Sequence, residues 1–190
     1  RSTLFPSTPL FRSDETPARL DELAAEVPNI RVFHEPASGW SGRPRNVGID
    51  NSYGRYVFFN DHDDWLSPEA LERMVAYADE NEADVCIPTM VGHHRPVPSV
   101  LFTENRPDVT VMTAPLMSGM TPHKLFRRAF LDEIGLRFPD CPRRLEYHMF
   151  VVEAYLRAAR ICVYSEYPCY HHIRRADAGN AGTDRIDPVG

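Results

Sequence analysis

The chain has 190 residues, of which 43% are hydrophobic and 25% charged, values typical of one soluble globular domain with its own core. Its formal net charge of −6 disfavours a general nucleic-acid-binding protein, which needs a basic face, and is compatible with a small anionic ligand held through a metal ion. No apolar run approaches the ~18 residues that span a bilayer, and no charged-then-apolar leader is visible. We therefore expect a cytoplasmic protein that can associate with the inner face of a membrane.

The first 13 residues, RSTLFPSTPLFRS, do not resemble the start of a domain. Two prolines interrupt the segment, and neither helical nor strand periodicity is present. Two interpretations stay open: a natural disordered tail, or a foreign stretch of the kind that a translated sequencing adaptor produces. On the second interpretation the authentic sequence begins near Asp14.

The next segment predicts a helix and a short strand. Thr16 is the expected cap, Pro17 occupies the first helical position, and Pro28 ends the helix. The face expected to be buried consists of Leu20, Leu23, Ala24 and Val27. Residues 30–34 are predicted to form a strand, followed by a loop that contains Gly39, Gly42 and Pro44.

A second strand and helix follow. Residues 46–51 can form a short helix, and Tyr56–Asn60 is a predicted strand. Ser67 is the expected cap of the next helix and Pro68 its first residue. The inward positions of that helix are Leu71, Met74, Val75 and Ala78.

The remaining chain continues to alternate strands with helices. The predicted strands are residues 83–88, 109–112, 161–164 and 167–172, with a surface excursion at 92–107 and helices beginning near Arg127 and spanning 145–159. This alternation predicts an α/β fold, with layers packed around a mostly parallel sheet.

Three carboxylates stand within four residues directly after the strand Tyr56–Asn60: Asp61, Asp63 and Asp64. Such a cluster repels itself unless a cation lies on it, and oxygen ligands at the carboxyl end of a strand suit Mg²⁺ or Mn²⁺ holding a diphosphate. A calcium EF-hand loop is disfavoured, because Leu66 stands where that loop needs glycine. A solvated turn that caps the following helix stays an alternative.

The acidic loop is preceded by Pro-Arg-Asn-Val-Gly-Ile from Pro44 and by Gly-Arg-Tyr-Val-Phe-Phe-Asn from Gly54. Together with Asp-His-Asp-Asp from Asp61, this order and spacing resemble the signature of the family 2 glycosyltransferases. The resemblance implies a GT-A fold and inverting transfer from a UDP-sugar with Mn²⁺ or Mg²⁺. It also implies that Arg45 lies against the nucleotide, that Asp61 contacts the uridine side and that Asp63 ligates the metal. A surface ion pair is the alternative for Arg45.

A further motif, Thr-Pro-His-Lys-Leu-Phe-Arg-Arg from Thr121, resembles the second half of the same domain. It is similar to the branch that includes the wall teichoic acid glycosyltransferases of polyol-phosphate polymers. The resemblance makes a glycan or polyol phosphate the expected acceptor. Lys124 and Arg128 are candidates for contacting the donor phosphate or the acceptor.

The expected catalytic base of that branch is missing. There a Leu-Glu-Asp sequence opens a helix and its Asp is the proposed base, whereas this chain has Leu145, Glu146 and Tyr147. An unperturbed tyrosine, with a pKa of about 10, is a poor general base. Glu146 is therefore the candidate base, and His148 a further one. The alternative is a weakly active enzyme or a non-catalytic module that binds sugars or nucleotides.

The segment Tyr-His-His-Ile-Arg-Arg from Tyr170 resembles the family's carboxyl-terminal part, where a histidine can complete the metal site. Adjacent residues of a strand point to opposite faces, so we expect at most one ligand here. We favour His172 over His171; hydrogen-bonded histidines near a sheet edge are the alternative. Arg174 and Arg175 can meet phosphates or solvent.

The resemblance covers about residues 14–175 and leaves 176–190 as a tail or linker. We expect the first strands of the family's sheet, with part of the uridine pocket, to be missing. A nucleotidyltransferase, which would release pyrophosphate, is a second alternative enzyme, but the spacing of Arg45 and Asn46 favours the glycosyltransferase.

Overall fold

The computed structural model describes residues 4–6, 15–36, 41–140 and 145–174. The helices are α1 (Thr16–Glu26), α2 (Gly42–Asn51), α3 (Ala70–Glu80), α4 (Arg128–Ile134) and α5 (Glu146–Arg157). The strands are β1 (Leu4–Pro6), β2 (Tyr56–Asn60), β3 (Trp65–Leu66), β4 (Val85–Pro88), β5 (Met90–His93), β6 (Arg106–Val109), β7 (Leu125–Arg127), β8 (Ile161–Tyr164) and β9 (Tyr170–Ile173). None of the described helices is long and apolar enough to cross a bilayer.

Six strands form the main sheet, in the order β1-β2-β7-β4-β8-β6. Four of them run in one direction, while β7 and β6 run antiparallel to their neighbours. The predicted α/β architecture is therefore confirmed.

Helices cover both faces of this sheet, because the side chains of its strands alternate between two apolar clusters. In β2, Val57 and Phe59 pack with the cluster that contains Ile49 of α2 and Phe150 of α5. Tyr56 and Phe58 join the other cluster. Burying one such side chain contributes about 1.5–3 kcal/mol, so this period-two pattern fixes which face each residue of β2 occupies.

A second, three-stranded sheet of order β3-β9-β5 lies next to the acidic loop. Trp65 of β3 pairs antiparallel with His171 of β9, and β9 runs parallel to β5. Because β3 begins directly after Asp64, this pairing brings the carboxyl-terminal strand β9 to the acidic loop.

Several predicted elements are confirmed. The strands Tyr56–Asn60 and Ile161–Tyr164 have the expected bounds, and the helices predicted near Arg127 and at residues 145–159 appear as α4 and α5. The strands predicted at 83–88 and 167–172 are present with ends shifted by up to three residues, as β4 and β9.

Other predictions need correction. Residues 30–34 are not a strand, because no described strand pairs with them. The cap of helix α1 is Glu15, not Thr16, which is the first residue of the helix. The helix has no fully buried residue, because an amphipathic face is buried only where another element covers it. Helix α2 begins at Gly42 rather than at residue 46, because Pro44 is tolerated in a first turn.

Two local interactions shift further boundaries. Ser67 does not cap α3, which begins at Ala70, because its hydroxyl donates to the Pro168 carbonyl next to β9. The strand predicted at 109–112 lies earlier, as β6, since hydroxyl and backbone bonds between Thr110 and Thr113 form a turn there. Strands β3, β5 and β7 were not predicted.

The amino-terminal segment contains one strand that the sequence did not predict. Leu4–Pro6 pairs parallel with β2 along Phe58 to Asn60. Asp14, Gly39 and Arg175 lie outside the described residues, as do the rest of segment 1–13 and the tail 176–190. The origin of the first 13 residues stays a prediction.

Candidate functional site

The three carboxylates that follow β2 occupy one tight turn. The Asp64 amide donates to the Asp61 carbonyl at 3.2 Å, and the Asn60 side-chain amide donates to the Asp61 carbonyl at 2.7 Å. One carboxylate oxygen from each of Asp61, Asp63 and Asp64 lies within 4.8 Å of the others. The turn thus concentrates negative charge at the carboxyl end of β2.

Asp64 is the buried member of this group. Its carboxylate accepts hydrogen bonds from the Tyr170 hydroxyl at 2.6 Å and from the Ile173 amide at 2.8 Å. Burial raises its pKa to about 6, these two hydrogen bonds oppose the rise, and the charges of Asp61 and Asp63 add to it. A cation at the cluster would relieve this repulsion.

Two buried histidines complete a second set of potential ligands with Asp64. His123 and His172 each place a ring nitrogen within 4.8 Å of an Asp64 oxygen and of each other. Burial lowers the pKa of His123 to about 3 and that of His172 to about 4, so both imidazoles are neutral near pH 7. A neutral imidazole can donate its lone pair to a metal ion.

The orientation of His123 follows from its hydrogen bonds. Nδ1 lies 3.2 Å from the Phe59 carbonyl, which can only accept, so Nδ1 carries the proton. Nε2 therefore presents its lone pair toward Asp61, whose Oδ2 is 3.5 Å away. The ring is stacked on Tyr170 with centroids 4.3 Å apart, which fixes its plane.

The donor chemistry of the cluster fits a divalent cation. Carboxylate oxygens suit Mg²⁺ and Mn²⁺, and the imidazole nitrogens suit the transition metals better than Mg²⁺. Asp63 and His172, the two ligands expected from the sequence, fall in different sets, which share Asp64.

Arg45 is the positive counterpart of the acidic turn. It is buried in α2, and its Nη2 donates to Asp61 Oδ1 at 3.0 Å while Nη1 donates to Glu146 Oε1 at 3.3 Å. Although burial favours the neutral acid, His123 and Arg45 hold the pKa of Asp61 at about 2. The Nε atom of Arg45 is buried without a hydrogen-bond partner among the described residues.

Helix α2 is held in place by a reciprocal pair of hydrogen bonds. The Asn46 side chain donates to the Phe138 carbonyl and accepts from the Phe138 amide, both at 2.9 Å. The Arg45 guanidinium also lies over the Phe138 ring, 5.3 Å from its centroid. These contacts direct Arg45 toward the end of β2.

Glu146 opens α5 and is buried. Its Oε1 accepts hydrogen bonds from the Ser41 hydroxyl at 2.7 Å and from Arg45. The preceding Leu145 has φ of 62°, in the left-handed region that a branched side chain rarely adopts. Such strain is common where a structure over-determines a functional position.

Tyr147 and His148 follow on the same helix. Tyr147 is half-buried, and burial together with the Glu146 charge raises the pKa of its hydroxyl. His148 is also half-buried, and burial lowers its pKa. A proton acceptor at position 147 is therefore less available than in free tyrosine. Arg144, in the same motif, lies outside the described residues.

The two predicted phosphate contacts, Lys124 and Arg128, make hydrogen bonds within the protein. The Lys124 ammonium is buried and donates to the carbonyls of Gly119 and Thr121, and burial lowers its pKa to about 7. Arg128 donates to the Ile49 carbonyl at 2.8 Å and to Ser52, at the end of α2. These hydrogen bonds thus go to loop and helix-end groups, and the contact of either side chain with a phosphate stays a prediction.

The two adjacent histidines of β9 do point to opposite faces. His172 approaches Asp64, with Nε2 3.9 Å from Oδ2. His171 lies on the other face, stacked on Trp65 at 4.9 Å and hydrogen-bonded to His93. The geometry thus favours His172 over His171 as a ligand.

Sequence reasoning missed His123, Tyr170 and the central place of Asp64. His123 stands directly before Lys124 in a quoted motif, and Tyr170 directly before His171. For His123 that proximity was the only signal, because it lies in no predicted element. For Tyr170 a second signal was its spacing of two residues from His172 within a predicted strand, which puts both side chains on one face.

Comparisons with known proteins identify the family of this chain. A profile of the family described as Glycosyl transferase family 2 matches residues 12–141. The poly(ribitol-phosphate) beta-N-acetylglucosaminyltransferase TarS of Staphylococcus aureus is 35% identical over 149 residues, which are 77% of this chain and 26% of that protein. The poly(ribitol-phosphate) beta-glucosyltransferase of Bacillus spizizenii is 34% identical over 158 residues, 82% of this chain and 25% of that protein.

A solved structure has the same fold. Residues 1–349 of S. aureus TarS in complex with UDP-GlcNAc superpose with a TM-score of 0.84 and 28% identity, over 92% of this chain and 58% of that one. The chain spans about a quarter of the length of the curated relatives that it matches.

Proposed function

Because the chain belongs to glycosyltransferase family 2 and has its GT-A fold, we propose that it transfers a sugar, with inversion, from a UDP-sugar to a hydroxyl of a cell-wall polymer. The proposed acceptor is a polyol phosphate, the class named for the related enzymes of S. aureus and B. spizizenii. The proposed location is the cytoplasm, at the inner face of the membrane.

The observation that carries this proposal is the ion pair between the buried Arg45 and the part-exposed Asp61, beside the carboxylate and imidazole cluster. The Arg45 guanidinium is a suitable donor for phosphate oxygens, and its Nε has no hydrogen-bond partner among the described residues. The neighbouring carboxylates are suitable ligands for a metal ion. A metal-bound diphosphate would bring both partners. The related TarS structure is named as a complex with UDP-GlcNAc, which supports a nucleotide-sugar donor.

Asp63 is the proposed principal ligand of Mn²⁺ or Mg²⁺, with His172 and Asp64 as further ligands from the same cluster. When bound, the cation would neutralise negative charge that develops on the departing diphosphate. Asp61, whose pKa is held low by His123 and Arg45, positions the nucleotide, and Arg45 supplies positive charge beside it.

Glu146 is the proposed base that accepts the proton of the attacking hydroxyl. Its carboxylate is already engaged by Ser41 and Arg45, so an incoming hydroxyl must compete with these two donors. Proton transfer by a positioned side chain contributes about 10²–10⁴-fold to a rate, so the efficiency of this step depends on that competition.

A binding module without catalysis is the second candidate, and one observation favours it. Tyr147 stands where the related branch has its acidic base, and the only adjacent carboxylate is buried in an ion pair. The two candidates differ in a substitution test: a transferase that uses Glu146 loses turnover in Glu146→Gln, whereas a module gains transfer in Tyr147→Asp.

The first experiment is a calorimetric titration of UDP into the chain with Mn²⁺ and again with EDTA. We expect metal-dependent binding that is lost in Asp63→Ala and retained in Asp108→Ala, an exposed aspartate of β6. Metal-independent binding, or none to a folded sample, would contradict the proposed donor site.

A further inference from the structure

Two arginines flank the candidate site at the end of the small sheet. Strands β5 and β9 are parallel, with His93 opposite Ile173, so their carboxyl ends lie at the same edge. Arg95 follows β5 by two residues and Arg174 follows β9 directly. The Arg174 amide donates to the His93 carbonyl at 3.0 Å, which ties the two chain segments together at this edge.

The turn that carries Arg95 is closely packed. A side chain at Gly92 would meet the Arg95 carbonyl, which lies 1.9 Å from the ideal Cβ position, so only glycine allows this approach. His94 between them has φ of 57°, in the left-handed region. Backbone in this conformation is held by its surroundings, and the starting point of the Arg95 side chain is therefore well defined.

Neither guanidinium has a carboxylate partner within the ranges that the structure describes. Arg95 is half-buried and Arg174 exposed, and no ion pair links either one to an acidic residue there. By contrast, Arg55, Arg127 and Arg137 each pair with an aspartate. Within the described residues, these two segments thus bring two positive charges without an acidic partner to the same edge of the small sheet.

The charge of Arg95 acts on one residue of β9 and on one residue at the start of α5. Burial lowers the pKa of His172, and the positive charge of Arg95 lowers it further. The same charge opposes the rise in the pKa of Tyr147 that burial causes. The guanidinium therefore lies near both residues. Tyr147 adjoins Glu146, the proposed base, so an acceptor hydroxyl that reaches Glu146 would come close to this charge.

We propose that Arg95 and Arg174 bind a phosphate oxyanion of the acceptor, next to the hydroxyl that receives the sugar. Arginine is suited to this task, because its planar group donates two parallel hydrogen bonds to phosphate oxygens. The inference rests on the proposed function for the identity of the acceptor, a polyol chain linked by phosphodiesters. The donor diphosphate is assigned instead to the Arg45 and Asp63 side of the cluster.

The test is a direct binding measurement that requires no turnover. A synthetic ribitol-phosphate oligomer is titrated into the chain saturated with UDP and Mn²⁺, with free ribitol as the uncharged control. We expect the oligomer to bind and ribitol not to bind. Each of Arg95→Gln and Arg174→Gln should weaken oligomer binding about tenfold and reduce its salt dependence, since each removes one charge-assisted contact.

Arg157→Gln is the matched control, an arginine of α5 whose partner is the exposed Glu153. It should bind the oligomer like the wild type, and all three variants should keep wild-type UDP affinity. Because Arg174 is exposed, its variant remains informative even if Arg95→Gln disturbs the turn.

Three results would overturn the inference: unchanged oligomer binding in both variants, equal loss in Arg157→Gln, or complete displacement of the oligomer by UDP, which would assign the arginines to the donor. Failure of the wild type to bind UDP is a different result. It contradicts the proposed donor site, while arginine-dependent binding of the oligomer alone would still support the phosphate site.

Discussion

Arg45 and Glu146, 101 residues apart in the sequence, are joined by a buried ion pair with a distance of 3.3 Å from Nη1 to Oε1. The same guanidinium donates to Asp61. One side chain therefore connects α2, the end of β2 and the start of α5, the three elements that carry the proposed donor site and base. Arg45 therefore supplies positive charge at the point where these three elements meet.

Arg45→Met should be strongly destabilising. It leaves Glu146 buried without its cation, and breaking a buried pair in this way costs about 3–5 kcal/mol of the free energy of unfolding. Urea denaturation measures the loss. Arg157→Met, which removes an exposed i, i+4 pair, should cost less than about 1 kcal/mol. Equal losses would show that the buried network contributes no more than a surface pair.

The double variant Arg45→Met with Glu146→Gln separates the contribution of the ion pair to stability from the contribution of the packing of the Arg45 side chain. If the unpaired carboxylate causes the loss, removing its charge should restore part of the stability. An additive result would contradict the assigned coupling.

Asp64→Asn should change how stability depends on pH in the absence of metal. The folded-state pKa of Asp64 is about 6, above its ordinary value of 3.8, so the folded chain binds more protons than the unfolded chain between these values. This carboxyl therefore contributes stability at low pH that is lost as the pH rises from about 4 to 6.

The amide of the variant does not titrate. Relative to the wild type, Asp64→Asn should gain about 2 kcal/mol of stability between pH 4 and pH 7. Denaturation across that range in EDTA measures the difference, and Mn²⁺ should reverse its sign by stabilising the wild type. A difference that stays constant with pH would contradict the raised pKa.

His172→Gln and His171→Gln form a matched pair on opposite faces of β9. His172 approaches Asp64, whereas His171 contacts Trp65 and His93. We expect the first substitution to weaken Mn²⁺-dependent UDP binding at least tenfold, because loss of one ligand commonly lowers metal affinity by that order. The second should leave it within about twofold. Calorimetry of both variants decides between the two histidines.

Substitutions at the start of α5 test the base. Glu146→Gln should lower turnover by about 10²–10⁴-fold while UDP affinity changes little, provided that Glu146 accepts the proton. Tyr147→Asp should then add at most a modest gain. A large gain in Tyr147→Asp, with little loss in Glu146→Gln, would favour the binding module instead. Turnover is followed as UDP release in the presence of acceptor, with release in its absence as the control for donor hydrolysis.

Much of the fold follows from local pattern. The run Tyr56–Asn60 predicts its own strand, because its aromatic and branched residues suit a sheet buried on both faces. Helix α5 is also predicted within two residues of its observed end, and the resemblance places a helix start at Leu145 and Glu146. The short strands β3, β5 and β7 escaped prediction because two to four residues carry too little periodicity, and their pairing partners lie far away in the chain.

The sequence by itself determined the acidic turn, the Arg-Asn motif before it and hence the family, because those residues are close together in the chain and their spacing is specific. Only the tertiary structure decided which side chains surround Asp64. Tyr170 contacts it from 106 residues away. His123 and His172 reach the same point because β7 pairs with β2 and β9 pairs with β3, and such long-range strand register is set by packing of the whole sheet. The same register placed His172 and His171 on opposite faces, and the fold buried the Lys124 ammonium against the carbonyls of Gly119 and Thr121.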